Sequence, residues 1–526
     1  MSLNEILAIS PIVIVSLGVV TLMLLVSFIQ NISYGYGCFQ LFLLAALLSF
    51  SGFWFDPLVN SRMIVGELLI VDYFTQFFSV LIILATMVVA CFVNDDSRND
   101  QGILPGEVLF KSYASYYLML LLATLGSLIV VSAIHFAAWF LGMEILVVSL
   151  YGLLSFHTHN LLPVNQTSVM PYEASFKFLV LSALSSSFML FGFAMLYGVS
   201  GMLRFDEYYL IAHLEQPAEY FMVVGGTAMI LVGMGYKLSL VPFHQWTPDV
   251  YQGAPTLITG YLATVSKAIM LVILIRFFMF SGIFILNRVL LVVAIMAILS
   301  MIVGNLLALN QSNIKRLLAY SSIAHVGYIL VAFIAASISF QHQSANFNLA
   351  LEAVSYYIVA YFLMTLSVFV IVHRVSDRAD AASDDPFLVE YYRGLLWRSP
   401  WMGLALIICL LSLAGIPLTA GFIGKFYLFA SGISQGLWVM LGGLVVGSVI
   451  GLYYYLNLVL VVVGRKEPAD DLAVPATGAG FSLPSTVLTA LVSLILLLGL
   501  YPNPMIDLLP ALDGQLRELV FAKVDG

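Results

Sequence analysis

The chain has 526 residues, of which 62% are hydrophobic and 9% charged, with 20 Lys and Arg against 28 Asp and Glu. Soluble proteins average roughly 25% charged residues, so the composition excludes a soluble enzyme, and the scattered, mildly acidic charge excludes a nucleic-acid partner. A hydrocarbon core about 30 Å thick takes about 20 apolar residues per helix, and a mean hydropathy of +1.04 marks a polytopic helical membrane protein embedded in a lipid bilayer.

Apolar runs between charge, Pro/Gly and Asn/Asp punctuation predict fourteen spans. They lie near 8–29, 36–55, 73–93, 112–132, 134–156, 174–199, 222–246, 254–279, 284–309, 314–338, 350–374, 401–430, 433–463 and 484–501. No Lys or Arg precedes Arg62, so the basic region of a signal peptide is missing and the first span is expected to be retained. Ten basic loop residues follow odd-numbered spans, Arg98, Lys111, Lys315, Arg316, Arg374, Arg378, Arg393, Arg398, Arg465 and Lys466, against six on the other side, Arg62, Arg204, Arg276, Arg288, Arg517 and Lys523. By the positive-inside rule the odd loops are cytoplasmic and both termini lie outside.

The remaining basic residues, Lys177, Lys237, Lys267 and Lys425, fall within spans, as does Glu144. At about 2.5 to 3.5 kcal/mol each on the insertion scale, these five groups cost roughly 12 to 18 kcal/mol before any pairing. A function has to offset that cost. Burial disfavours the charged form of a lysine or a glutamate, and a nearby opposite charge restores it. A movable Glu–Lys pair can therefore switch a lysine between binding and releasing a proton, whereas a purely structural pair contributes little that apolar residues would not.

Two spans carry helix breakers. Lys237 opens KLSLVPFHQWTPDVYQGAP at 237–255, where Pro242 removes a backbone hydrogen bond. In LSLAGIPLTAGFIGKFY at 411–427, Gly415, Pro417, Gly421 and Gly424 precede Lys425. Irregular backbone at membrane depth is tolerated where protein or a water-filled cavity surrounds it. Leu238-Ser239-Leu240 matches Leu411-Ser412-Leu413 ahead of the two breaks, and Glu173-Ala174 matches Glu352-Ala353 at the start of the spans before them. These short matches predict two five-helix repeats, 111–280 and 281–465, flanked by three N-terminal helices in 1–110 and by a last helix and tail in 466–526. An odd number of spans per repeat inverts the second against the first.

His244 and His325 lie in or beside spans, where a group titrating near neutral pH suits a relay between lysines; a hydrogen-bonded packing histidine is the competing reading. His157 and His159 read as solvated loop residues. Cys38, Cys91 and Cys409 sit singly in apolar runs, and no dinucleotide-binding glycine pattern follows a strand. No metal or redox cofactor is expected in the chain. GFIGK lacks the leading glycine and the Ser/Thr of a phosphate loop.

Together with NIKRLLAYSSIAHVGY at 313–328, the two interrupted motifs resemble those of the antiporter-like membrane subunits of bacterial respiratory complex I, over roughly residues 110–465. The resemblance implies a proton-translocating role in a bacterial inner membrane. Under it, Glu144 and Lys237 form the family's glutamate–lysine pair, and Lys177 tunes Lys237. Lys267 is then the connecting lysine, Lys425 the terminal one, and His244 and His325 relay residues. It also implies K-type and M-type membrane subunits as neighbours, with NADH, FMN, iron–sulfur clusters and quinone handled elsewhere in the complex. About 25 residues follow the last span, too few for the long lateral helix of the distal subunit. The loop at 157–173 is longer and less basic than the family pattern. Two rivals remain: a subunit of a cation/proton antiporter, and a scaffold whose buried charges only hold helices in register.

Overall fold

The computed structural model describes residues 3–28, 32–50, 63–99, 106–156, 169–205, 217–342, 346–377, 385–465 and 483–508. His157, His159 and the polar tail lie outside the described residues. A short helix α1 (Leu3–Ala8) leads into α2 (Ser10–Phe28) and α3 (Ile32–Ser49). Then comes a hairpin of β1 (Met63–Val65) and β2 (Leu69–Val71), paired Ile64 to Ile70, which hydropathy alone did not predict. Helices α4 (Tyr73–Asn99), α5 (Gly106–Ser132), α6 (Phe136–Ser155), α7 (Val169–Ser200) and α8 (Pro217–Leu238) follow. After an irregular stretch come α9 (Trp246–Gly253) and α10 (Thr256–Tyr261), the latter continued through a π-helical turn (Leu262–Ser266) into α11 (Lys267–Ser281). The chain proceeds through α12 (Asn287–Ala308), α13 (Ile314–Gln341), α14 (Asn346–Ser376), α15 (Leu395–Arg398), α16 (Pro400–Ala414) and α17 (Ala420–Ser434). It ends in α18 (Trp438–Val463), α19 (Leu483–Leu500) and α20 (Asn503–Leu508).

Among the described residues, twelve helices are long and apolar enough to cross a membrane, and Gly35–Ser49 and Pro400–Ala414 are shorter apolar helices. Each overlaps one of the fourteen predicted spans, of which residues 51–55 lie outside the described residues and the seventh and twelfth are cut by the breaks. Hydrocarbon offers no partner for backbone amides, so helices are the local solution for such runs. Their outward faces stay apolar: Leu17, Leu44, Phe176, Leu291 and Val449 are exposed.

The described residues form two compact units, one within Met1–Lys237 and Gly253–Ile285, the other within Leu238–Gln252 and Leu286–Pro510. In the first, α5 packs on α2, α3, α4, α6 and α11. Rings of Phe136, Trp139, Phe193, Phe205 and Phe277 gather there, Phe136 stacking on Phe193 at 4.1 Å. In the second, α13 and α14 are central and almost wholly buried. They pack against α12, α16, α17, α18 and α19.

Both predicted breaks are present. Backbone leaves the helix at Ser239, whose φ is +63°, and helix resumes at Trp246. It leaves again at Gly415 and resumes at Ala420, so the second break is shorter than the Gly415-to-Gly421 stretch expected from its glycines and Pro417, and Gly421 is helical. Freed backbone groups find partners inside the protein. Val241 N donates to Ser300 Oγ at 2.9 Å, and Gly421 N donates to Ser412 Oγ at 3.1 Å. Gly421 serves close approach: a Cβ there would lie 1.8 Å from the Ser412 carbonyl oxygen. Gly421→Ala should push α17 off α16 and, at the roughly 1 to 3 kcal/mol typical of overpacking, lower the unfolding temperature in detergent. An unchanged temperature would show that the two half-helices separate freely.

Candidate functional site

In the first unit, three helices bring the charged groups together through serines. Glu144 projects from α6, where its Oε1 accepts a 2.5 Å hydrogen bond from Ser186 Oγ on α7. Lys237, in the last turn of α8, donates from Nζ to Ser182 Oγ, also at 2.5 Å. Ser182 and Ser186 are four residues apart and share one face of α7. Between them Ser185 donates to the Gly233 carbonyl at 2.9 Å. All three serines are buried. Among the described residues Glu144 and Lys237 make no direct ion pair; each is held by its own serine. The signal was in the sequence as Ser185-Ser186-Ser187 with Ser182 inside an apolar span, but serine is common in membrane helices and carried no charge to mark it.

Lys267 is 1% exposed and opens α11 directly after the π-helical turn. Such turns are rare and occur often at functional positions. Lys177 differs: it is 40% exposed and pairs with Glu173 at 2.8 Å, one helical turn before it.

In the second unit Lys425 reaches back from α17 to the end of α16. Its Nζ donates to the carbonyls of Leu413 at 3.1 Å and Ala414 at 2.9 Å. A cation there satisfies unpaired carbonyls and meets the negative end of the helix dipole. Gly415, at φ +85°, adopts the left-handed conformation and leaves room for the lysine, since a Cβ would lie 2.8 Å from Lys425 Cδ. His325 on α13 is 2% exposed, with Nδ1 2.7 Å from Tyr357 Oη. His244 is half-buried in the first break, and its Nδ1 is buried without a hydrogen-bond partner among the described residues. Two of the sequence motifs meet here: Asn313 caps α13, and Arg316 pairs with Asp249 of α9 at 2.8 Å.

Sequence reasoning placed Arg276 and Lys315 among the loop charges. The structure corrects both. Lys315 lies in the first turn of α13, 2% exposed, with Nζ 4.2 Å from the centre of the Phe387 ring. Arg276, in α11, donates from Nη2 to Asp72 Oδ1 at 2.9 Å and to Thr75 Oγ1 at 3.0 Å, with neither charged side chain more than 2% exposed. A charge near the end of an apolar run reads as interfacial when neighbouring chain segments are unknown. Among the described residues no group of three or more His, Cys, Asp or Glu is arranged to hold a metal ion.

Interrupted helices with lysines at the breaks, inside a multi-pass apolar bundle, define an antiporter-like membrane subunit. The chain belongs to the NADH:quinone oxidoreductase/Mrp antiporter membrane family, whose profile matches residues 133–451. It is 41% identical over 447 residues to NADH-quinone oxidoreductase subunit N of Methylococcus capsulatus, covering 84% of this chain and 83% of that protein. A chain of respiratory complex I from Thermus thermophilus superposes with a TM-score of 0.73 at 30% identity, over 94% of this chain and 98% of that one. The fold also matches a chain of the Mrp complex from Dietzia sp. DQ12-45-1b, with a TM-score of 0.79 at 19% identity over 99% and 98% of the two chains. An archaeal membrane-bound sulfane sulfur reductase has a chain with the same fold, with a TM-score of 0.79 at 23% identity over 98% of each chain.

Proposed function

We propose that this chain is the N-type proton-translocating subunit of a bacterial NADH:quinone oxidoreductase, holding no redox centre itself and driven by electron transfer to quinone elsewhere in the complex. NADH, FMN, iron–sulfur clusters and quinone then belong to other subunits, and K-type and M-type membrane subunits flank the chain in the inner membrane, with its termini on the periplasmic side. The observation that carries the reading is the arrangement of half-buried Glu144 on Ser186 and buried Lys237 on Ser182, because charge drawn into an apolar bundle marks an ion or proton path. Serine hydroxyls donate and accept, so they can hold either charge state of their partners. Glu144 sets the proton affinity of Lys237 through the field of its carboxylate. Lys267, His244, His325 and Lys425 carry protons onward, in two repeat units near 111–280 and 281–465. Co-purification with flavin and iron–sulfur subunits, with NADH-driven pumping in vesicles, is the expected result. Purification with cation/proton antiporter subunits and a sodium- or proton-gradient-driven exchange would replace this reading by the antiporter one.

Within it, Lys267 outranks Lys177. A lysine near a helix end can extend to water at modest cost and Glu173 partners it, whereas Lys267 is enclosed. Lys267→Ala should therefore lower pumping more than Lys177→Ala in matched complexes, and the opposite order would make Lys177, as a tuner of Lys237, the more important residue.

A further inference from the structure

Around His325 the second unit holds a chain of hydroxyls that charge-based reading passes over. Three helices contribute. His325 stands on α13, Tyr357 on α14 and Tyr455 on α18, and all three side chains are buried. Both ring nitrogens of the histidine meet a phenol: Nδ1 lies 2.7 Å from Tyr357 Oη and Nε2 lies 3.2 Å from Tyr455 Oη. Tyr455 Oη in turn hydrogen-bonds Ser321 Oγ, one turn before His325 on α13. One end of the segment is thus Ser321, and the other is Tyr357. Tyr357 packs its ring on Gly424, where a Cβ would come within 2.7 Å of the ring, and Lys425 is the next residue.

A packing histidine needs one partner. A histidine bridged on both nitrogens by groups that each donate and accept is wired for passage, because a proton taken at one nitrogen can leave from the other. Phenols suit the purpose because their hydroxyls stay neutral while passing a proton on. In one tautomer Ser321 donates to Tyr455, Tyr455 donates to Nε2, and Nδ1–H donates to Tyr357. A proton arriving at Ser321 Oγ releases that residue's own proton to Tyr455 Oη, the Tyr455 proton moves to Nε2, and the Nδ1 proton moves to Tyr357 Oη, which passes its own proton on. Each oxygen ends with as many protons as it began with, the histidine ends in its other tautomer, and no phenolate forms.

We propose that Tyr357, His325, Tyr455 and Ser321 form one hydroxyl-and-imidazole segment of the proton path, in which the two tyrosines act as proton carriers and the Tyr357 end leads toward Lys425. This rests on the proton-translocating reading given above, and the test separates the two. Tyr357→Phe and Tyr455→Phe keep the rings and remove only the hydroxyls. In intact complexes reconstituted in vesicles, each should lower proton pumping and coupled turnover by roughly tenfold or more, the lower range for loss of a positioned proton-transfer group being larger still. The solvent deuterium isotope effect on turnover should rise as proton transfer becomes limiting, a change that a packing defect does not produce. Tyr356→Phe, one residue away, removes a hydroxyl that donates to the Leu498 carbonyl at 2.8 Å and should leave pumping unchanged. If Tyr455→Phe does not assemble, Ser321→Ala examines the same end of the segment.

Wild-type pumping in the Tyr357→Phe and Tyr455→Phe complexes, with pumping lost in Lys425→Ala, would overturn the tyrosine segment and leave the translocation reading standing. Wild-type pumping in all three would overturn both. Equal losses in Tyr356→Phe, or reduced turnover with an unchanged isotope effect, would also overturn the segment, by assigning the losses to packing.

Discussion

Replacing Lys237 by Ala, or Glu144 by Gln, is expected to lower proton pumping and coupled NADH:quinone turnover by roughly tenfold or more in complexes that still assemble. Lys237 Nζ and the Glu144 carboxylate are each fixed by one serine of α7, so either substitution leaves the other group in place with its field unanswered. Glu144→Asp should retain more activity than Glu144→Gln, because a shorter carboxylate still supplies the charge that sets the affinity of Lys237. Ser182→Ala belongs in the same series: it leaves both charges and removes the direct partner of the lysine, so a partial loss is expected. Assembly must be read by native gel or by the yield of purified complex alongside each rate. Wild-type pumping and turnover in well-assembled Lys237→Ala and Glu144→Gln complexes would remove both residues from the path and favour the scaffold reading, in which buried charges only hold helices together.

Asp72→Ala should be among the most destabilising single substitutions in the chain. It strands Arg276, whose guanidinium is enclosed beside Phe74, 5.7 Å from that ring's centre. Its Nε and Nη1 already lack hydrogen-bond partners among the described residues. Removing one partner of a buried ion pair costs about 3 to 5 kcal/mol, whereas replacing both by apolar groups is often close to neutral. The expected result is a marked fall in the unfolding temperature or in the yield of assembled complex for Asp72→Ala, largely recovered in Asp72→Ala with Arg276→Met. A double variant no better than the single one would mean that the pair does not act as a unit. Thr75 contributes too, since its hydroxyl donates to Asp72 at 2.7 Å and accepts from Arg276. Thr75→Val should therefore show a smaller loss in the same measurement.

How much of this was legible in the sequence depends on the range of the interaction. Hydropathy, proline and glycine act over a few residues, so the fourteen spans and both helix breaks could be read directly, and Lys237 and Lys425 stood out because charge in an apolar run is conspicuous. The β-hairpin at Met63–Val71 was hidden because two three-residue strands give no periodicity that apolar loops lack. Arg276 was misplaced because its partner is 204 positions away; a terminal arginine looks solvated until Asp72 is seen beside it. Serines escaped for another reason. Neutral hydroxyls are cheap in a helix, where they bond their own backbone, so nothing in their spacing separated Ser182 and Ser186 from Ser187, which donates to Ala183 O in that way.

By itself the sequence determined that the protein is a multi-pass membrane bundle, where its helices run and break, and which charges burial must accommodate, because each of these follows from the transfer free energy and backbone chemistry of contiguous residues. Only the tertiary structure decided who answers those charges. Serines of α7 stand at Glu144 and Lys237, the broken end of α16 receives Lys425, and two tyrosines from separate helices close on His325. Helix rotation and packing set those meetings, and they depend on how distant side chains fit together, which no local pattern of hydropathy encodes.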